Sequence, residues 1–269
     1  MGGFNNIPDV VKNLLIINLL VFLAGIAIEN VELLLALRHP KSPDFEPYQL
    51  VSHFFTHFGF WHILMNMFAL VVFGSTLERR WGPKRFLLFY FACAMGASGL
   101  HLGYISYETA GVDKAITEFE NEPTAENYSA FFQEYATLKN YKVSYQSDVN
   151  TIRKGLKNTG ENSPWVEPAL VTMKQFLNSK LSTPMAGASG AIFGLLMAFF
   201  LLFPNTELML LFIPFPIKAK YLIGAYLVYN LYSAFTGAED GVAYFAHLGG
   251  ALIGFIIVKL WQRDRNSFY

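Results

Sequence analysis

Six apolar stretches, each about 15–21 residues long, are separated by polar segments: Val10–Ile28, Trp61–Leu77, Arg85–Ile105, Met185–Phe203, Tyr221–Phe235 and Tyr244–Trp261. A helix of about 20 residues crosses a hydrocarbon layer of ~30 Å. A backbone in lipid must satisfy its own hydrogen bonds, so all six are predicted to be transmembrane helices. A seventh apolar stretch, Leu208–Ile217, is too short and contains Pro214 and Pro216. It is predicted to be a loop dipping into the membrane interface. The first stretch has only Lys12 as a basic flank and no small-residue cleavage site, so it reads as an anchor and not a cleaved signal.

Composition sharpens this picture. The chain is 53% hydrophobic and 15% charged, against about 25% charged in ordinary soluble domains. Charge is unevenly placed: residues 101–180 hold 18 of the 40 charged residues, and the other 189 residues hold 22. The expected fold is therefore an all-α membrane protein, a bundle of six transmembrane helices with a water-soluble helical insert between the third and fourth. The expected parts are residues 1–105 (helices 1–3), 106–182 (insert) and 183–269 (helices 4–6). Within the insert, Thr124 is a candidate N-cap for a helix over Tyr128–Leu138, and Asp148–Leu156 is a second candidate. Ser163-Pro164 should start a third helix over Trp165–Leu181, with Pro168 expected to kink it.

Lysine and arginine set the orientation. With the N-terminus inside, the inner segments hold 10 basic residues and the short outer loops hold only Arg38 and Lys41. The long insert is left out of the comparison because long loops cross largely regardless of charge. Both termini are thus expected to be cytoplasmic and the insert outside. No targeting segment is read, which suggests a bacterial cytoplasmic membrane. The net charge of zero gives no case for nucleic-acid binding. A single cysteine, Cys93, excludes an intrachain disulfide.

Four polar residues then fall at one expected depth. His62 and Asn66 lie four residues apart, on one face, near the start of the second span. Ser189 lies near the start of the fourth span and His247 near the start of the sixth. Even-numbered spans all descend from the outer face, so these residues share the outer half of the membrane. Polar side chains there are costly and point to function. A serine hydroxyl needs a base, and His247 is the natural one. The two helices must then pack very closely, which the small-residue pairs Gly190/Gly194 and Gly250/Gly254 allow. His62, Asn66 and the Ser189 backbone N–H are candidate oxyanion donors. No carboxylate lies in spans four or six, which argues for a Ser-His dyad, with Phe193 packing to orient the imidazole. Taken singly, each residue has a plainer reading: a membrane serine usually bonds its own helix, and GxxxG pairs usually only pack. His53 and His57 have i,i+4 spacing, but no H-E-x-x-H is present, so no metal site is expected.

These motifs together resemble the rhomboid intramembrane serine proteases. The resemblance rests on His53–Asn66, on Gly187-Ala188-Ser189-Gly190 (G-x-S-G), and on Ala246-His247 with Gly250 and Gly254 (A-H-x-x-G-x-x-x-G). It covers roughly 8–105 and 183–262. It implies cofactor-free proteolysis of membrane-spanning helices, with Ser189 as nucleophile, His247 as base, and His62 and Asn66 in the oxyanion hole. The implied substrates are single-span membrane proteins with a destabilised helix and a small residue at the cleaved bond. Phe193 takes the place of a tyrosine that stacks on the histidine in many members, and Glu78 resembles a structural position at the inner end of span two. Two departures stand out. Residues 30–60 lack the Trp-Arg pair of many relatives, and the insert replaces a short loop directly upstream of Ser189. The alternative function is an inactive rhomboid-like binding or chaperone module. Such proteins usually lose the serine or the histidine, and both are present here. The oligomeric state is not legible.

Overall fold

The computed structural model describes residues 6–135, 144–159, 163–209, 215–236 and 242–266. They are mostly helical and fall into two compact units. Unit 1 comprises Met1–Leu37, Glu46–Leu102 and Pro184–Tyr269, and unit 2 comprises Arg38–Phe45 and Gly103–Thr183.

Unit 1 begins with α1 (Asp9–Ala27), followed by two short helices, α2 (Val31–Leu35) and α3 (Gln49–Ser52), and a 3-10 turn over His53–Phe55. The second apolar stretch becomes α4 (Phe60–Ala69), a π turn (Leu70–Gly74) and α5 (Ser75–Trp81). After α6 (Pro83–Asn121), whose first part belongs to this unit, come α10 (Ser189–Leu202), α11 (Ala219–Thr236) and α12 (Tyr244–Asn266). Between α10 and α11, β1 (Glu207–Leu208) pairs antiparallel with β2 (Ile217–Lys218) at the base of the seventh apolar stretch. The rest of that stretch, 210–214, lies outside the described residues.

Among the described residues, four helices are long and apolar enough to cross a membrane: Asp9–Ala27, Phe60–Trp81, Pro83–Asn121 and Tyr244–Arg263. The chain is an integral membrane protein. The surface of unit 1 agrees with this, because Leu20, Leu23 and Ile26 of α1 and Tyr221, Val228, Tyr232 and Phe235 of α11 are all exposed. Water would penalise such apolar faces, whereas lipid tails match them. The fourth stretch differs from its expected extent. Its helix starts at Ser189 and has 14 residues, so it spans about 21 Å. It is apolar all round and buried from Gly190 to Leu196, as a central helix must be.

The start of α1 is held from a distance. The Glu78 carboxylate of α5 accepts hydrogen bonds from the Val10 and Val11 backbone N–H groups, at 3.0 and 2.9 Å. These are two of the N–H groups that a helix cannot satisfy itself, and Glu78 is buried. Glu78→Ala should therefore leave a buried donor at Val11 without an acceptor, costing about 1–3 kcal/mol, and a half-buried one at Val10, costing less. A melting temperature in detergent lowered by several degrees is the expected result, and an unchanged one would exclude this anchoring role.

Unit 2 has its own core, made by Val112, Ile116, Phe119, Tyr128, Phe131, Ile152, Leu156, Met173 and Phe176. The sequence placed the end of the third helix near Ile105, but α6 continues to Asn121. Val112, Ile116 and Phe119 recur every three or four residues and are buried, with Thr109 buried one turn before them, so one buried stripe carries the helix onward. Next comes α7 (Ala125–Tyr135), whose Asn127 N–H is capped by Thr124 Oγ1 at 3.1 Å. Leu138, expected at its end, lies outside the described residues. Then follow α8 (Ser144–Thr159) and α9 (Val166–Leu181). Pro168 does not interrupt α9, because it falls in the first turn, where a missing N–H costs nothing.

Candidate active site

The nucleophile candidate sits where the chain switches from irregular to helical. Gly187 has φ +124°, a conformation that side chains resist, and Ser189 opens α10 two residues later. The Gly187 N–H donates to the His53 carbonyl at 2.9 Å, which fixes this corner from the 3-10 turn. The Ser189 N–H is in the first turn, where a helix provides no acceptor and its dipole favours negative charge.

His247, in the first turn of α12, meets Ser189 across the helix interface. Its Nε2 lies 2.9 Å from Ser189 Oγ. The imidazole stacks on Phe193, with centroids 4.0 Å apart and planes 9° apart. Backbone contact makes this reach possible. A Cβ on Gly250 would lie 1.8 Å from the Gly190 carbonyl oxygen, and one on Gly254 would lie 2.8 Å from the Gly194 carbonyl oxygen. A Cβ on Gly190 would fall 2.3 Å from the Ala97 Cβ of α6. The glycines thus let α6, α10 and α12 touch almost backbone to backbone.

His62 and Asn66 flank this point on α4. A Cβ on Gly187 would be 2.8 Å from His62 Nε2 and 3.6 Å from Ser189 Oγ. The missing side chain therefore leaves a small space bounded by both atoms, where a reacting carbonyl oxygen can sit. Asn66 is buried, and its Nδ2 donates to the His62 carbonyl at 3.0 Å. That bond uses one amide hydrogen and leaves the other for a ligand.

No role follows from sequence for two residues here, although the first stands in the stretch His53–Asn66. One is His53, which holds Gly187 through its carbonyl while its Nε2 lies 2.8 Å from Ser98 Oγ. The other is Asn230 of α11, whose Oδ1 lies 2.8 Å from His247 Nδ1. Spans four and six hold no carboxylate that could fill this place. A polar residue inside span five was the available signal.

The loop before α4 also carries two buried histidines held neutral. Burial pushes the His53 imidazole down to about 4, against the opposing hydrogen bond to the Gln49 carbonyl. Burial, followed by the neighbouring His62, pushes His57 down to about 3. An unfolded histidine takes up its proton near pH 6.5. Between pH 6.5 and about 3 the unfolded chain thus binds more protons than the folded one, so stability falls as pH falls through that window. Melting temperatures recorded from pH 7.5 to 3 should show the decline, with a shallower slope for His57→Gln. Equal slopes in the two proteins would contradict the assignment.

Comparison with known proteins gives two findings. The sequence pattern of the Rhomboid domain matches residues 44–117 and 169–263, more than half of the chain. It passes over 118–168, which hold α7 and α8 of unit 2. Among curated proteins, the chain is similar to "RHOMBOID-like protein 12, mitochondrial" of Arabidopsis thaliana. The two are 25% identical over 219 residues, which cover 81% of this chain and 46% of that protein. It is also similar to "Rhomboid-like protein 16, chloroplastic" of the same plant, at 43% identity over 49 residues, covering 18% of this chain and 15% of that protein. The chain thus spans less than half the length of each of these relatives.

Proposed function

The chain belongs to the rhomboid family, and on that premise we propose that it is an intramembrane serine endopeptidase that cleaves membrane-spanning segments with a Ser-His pair. The observation that carries the reading is the 2.9 Å contact between His247 Nε2 and Ser189 Oγ, with Phe193 stacked on the imidazole. In the proposed reaction His247 Nε2 takes the hydroxyl proton as Ser189 Oγ attacks the scissile carbonyl carbon. The carbonyl π pair moves onto oxygen, which is held by the Ser189 N–H, His62 and Asn66. Collapse breaks the C–N bond, and His247 returns the proton to the departing amine. Water then opens the acyl-enzyme ester by the same steps in reverse order. No step calls for a metal or cofactor.

The architecture belongs to the same proposal. Six spans, including the short α10 and the less apolar α11, enclose the site, with residues 106–182 as an insert on the outer side. The 10-to-2 bias of basic residues supports cytoplasmic termini. The curated relatives are named as mitochondrial and chloroplastic proteins, so the bacterial cytoplasmic membrane expected from sequence finds no support among them. The proposed substrates are single-span membrane proteins whose helix unwinds readily near a small residue, since helical amides are closed to attack. Shed membrane-protein fragments from cells expressing wild type or Ser189→Ala provide the test. Fragments found only with wild type are expected. Identical fragment sets would remove the protease reading and favour a binding or chaperone module.

A further inference from the structure

Asn230 sits on α11, outside every motif that identified the site, and is 1% exposed. Its Nδ2 donates to the Tyr226 carbonyl at 2.9 Å, one turn back on the same helix. Its Oδ1 faces His247 Nδ1 at 2.8 Å. A backbone carbonyl can only accept, so the amide nitrogen must point at Tyr226 and the amide oxygen at the imidazole. The flipped amide would set two acceptors against each other at Tyr226. The amide oxygen also only accepts, so Nδ1 must carry the hydrogen. In the neutral ring Nε2 then keeps the lone pair, and Nε2 is the atom that faces the Ser189 hydroxyl.

From this chain of bonds we infer that Asn230 is a positioning residue for His247, which it orients from the side opposite Ser189. The inference rests on the protease reading and deepens it. Stacking on Phe193 fixes the plane of the imidazole but does not choose its tautomer or prevent a half-turn of the ring within that plane. An in-plane acceptor at Nδ1 does both. The same oxygen stabilises the imidazolium that forms as Ser189 attacks. An amide serves where spans four, five and six offer no carboxylate, because it brings a dipole to the base without putting a second charge into a buried site. The plainer role, an asparagine bonding its own helix, accounts for the Nδ2 contact and leaves the oxygen's contact with His247 unexplained.

Selective ¹⁵N-histidine labelling of the full chain in detergent reads the tautomer directly, with the His247 signals assigned by their loss in His247→Ala. Wild type should show one neutral form, protonated at Nδ1, and Asn230→Leu a mixture. On a fluorogenic transmembrane peptide, Asn230→Leu should lose about 10- to 100-fold in kcat, with KM within about twofold. Asn230→Asp restores an acceptor, so it should recover most of that loss and keep the Nδ1–H form. Its carboxylate favours the imidazolium, so the acid limb of its kcat profile should move to higher pH. A wild-type tautomer in Asn230→Leu would overturn the inference, as would equal losses in the Leu and Asp variants. Should Asn230→Leu fail to fold, an unshifted acid limb in Asn230→Asp would overturn it alone. A wild type that cleaves no peptide yet keeps the single tautomer sinks the protease reading and leaves the positioning contact standing.

Discussion

Ser189→Ala and His247→Ala are each expected to reduce cleavage to background, a loss of at least about 10⁴-fold, and the double variant should be no worse than either one. Residues that act as one unit lose their function together, so their losses do not add. The geometry makes them such a unit. Ser189 Oγ lies 2.9 Å from His247 Nε2, and the imidazole is stacked on Phe193 and hydrogen-bonded to Asn230. Neither substitution should unfold the protein, because each only shortens a side chain at the start of a helix that is held elsewhere. Progress curves on a labelled single-span substrate in liposomes would measure this. Single losses that multiply in the double variant would mean that the two residues act independently.

Gly250→Ala is expected to cost about 10²-fold in activity, although it adds one methyl group. The new Cβ would sit 1.8 Å from the Gly190 carbonyl oxygen and 2.7 Å from its carbon. Those are backbone atoms, which cannot rotate away, so α12 must shift from α10. Gly250 lies one turn beyond His247, and the shift is delivered to the Ser189–His247 contact. A misplacement of about 1 Å there costs about 10²-fold in rate. Overpacking alone costs about 1–3 kcal/mol of stability, so a lower melting temperature should accompany the lost activity. Gly224→Ala on α11 is the matched control. Its added Cβ would meet only the Phe200 ring edge at 3.3 Å, and activity should stay within about twofold. Equal behaviour of the two variants would show that close α10–α12 packing does not govern the site.

Local periodicity made part of this site legible from sequence. Gly250 falls three residues after His247, and Phe193 four after Ser189, so each shares a helical face with its partner wherever the helix goes. Close approach of α10 and α12, and a ring stacked on the imidazole, follow from that spacing. The parts that were missed depend on pairings between distant elements. The Glu78 carboxylate reaches backbone groups 67 and 68 residues away, and no local pattern encodes that. Asn230 gains its meaning only once α11 lies beside α12. The π turn at Leu70–Gly74 has no residue that marks it in advance. The end of α6 was missed for a different reason. Charge rises after Ile105, but that marks only the end of the apolar stretch and not the end of the helix. The 3.6-residue stripe of Thr109, Val112, Ile116 and Phe119 ran on through the change in polarity.

The protease reading requires Ser189 to be a nucleophile that His247 makes reactive. A fluorophosphonate probe reads that chemistry without any knowledge of the substrate, because it bonds covalently only to an activated hydroxyl. Purified wild-type protein should be labelled, on a peptide containing Ser189, while Ser189→Ala and His247→Ala should stay unlabelled under the same conditions. Equal labelling of all three proteins, or labelling at another residue, would show that His247 does not activate Ser189.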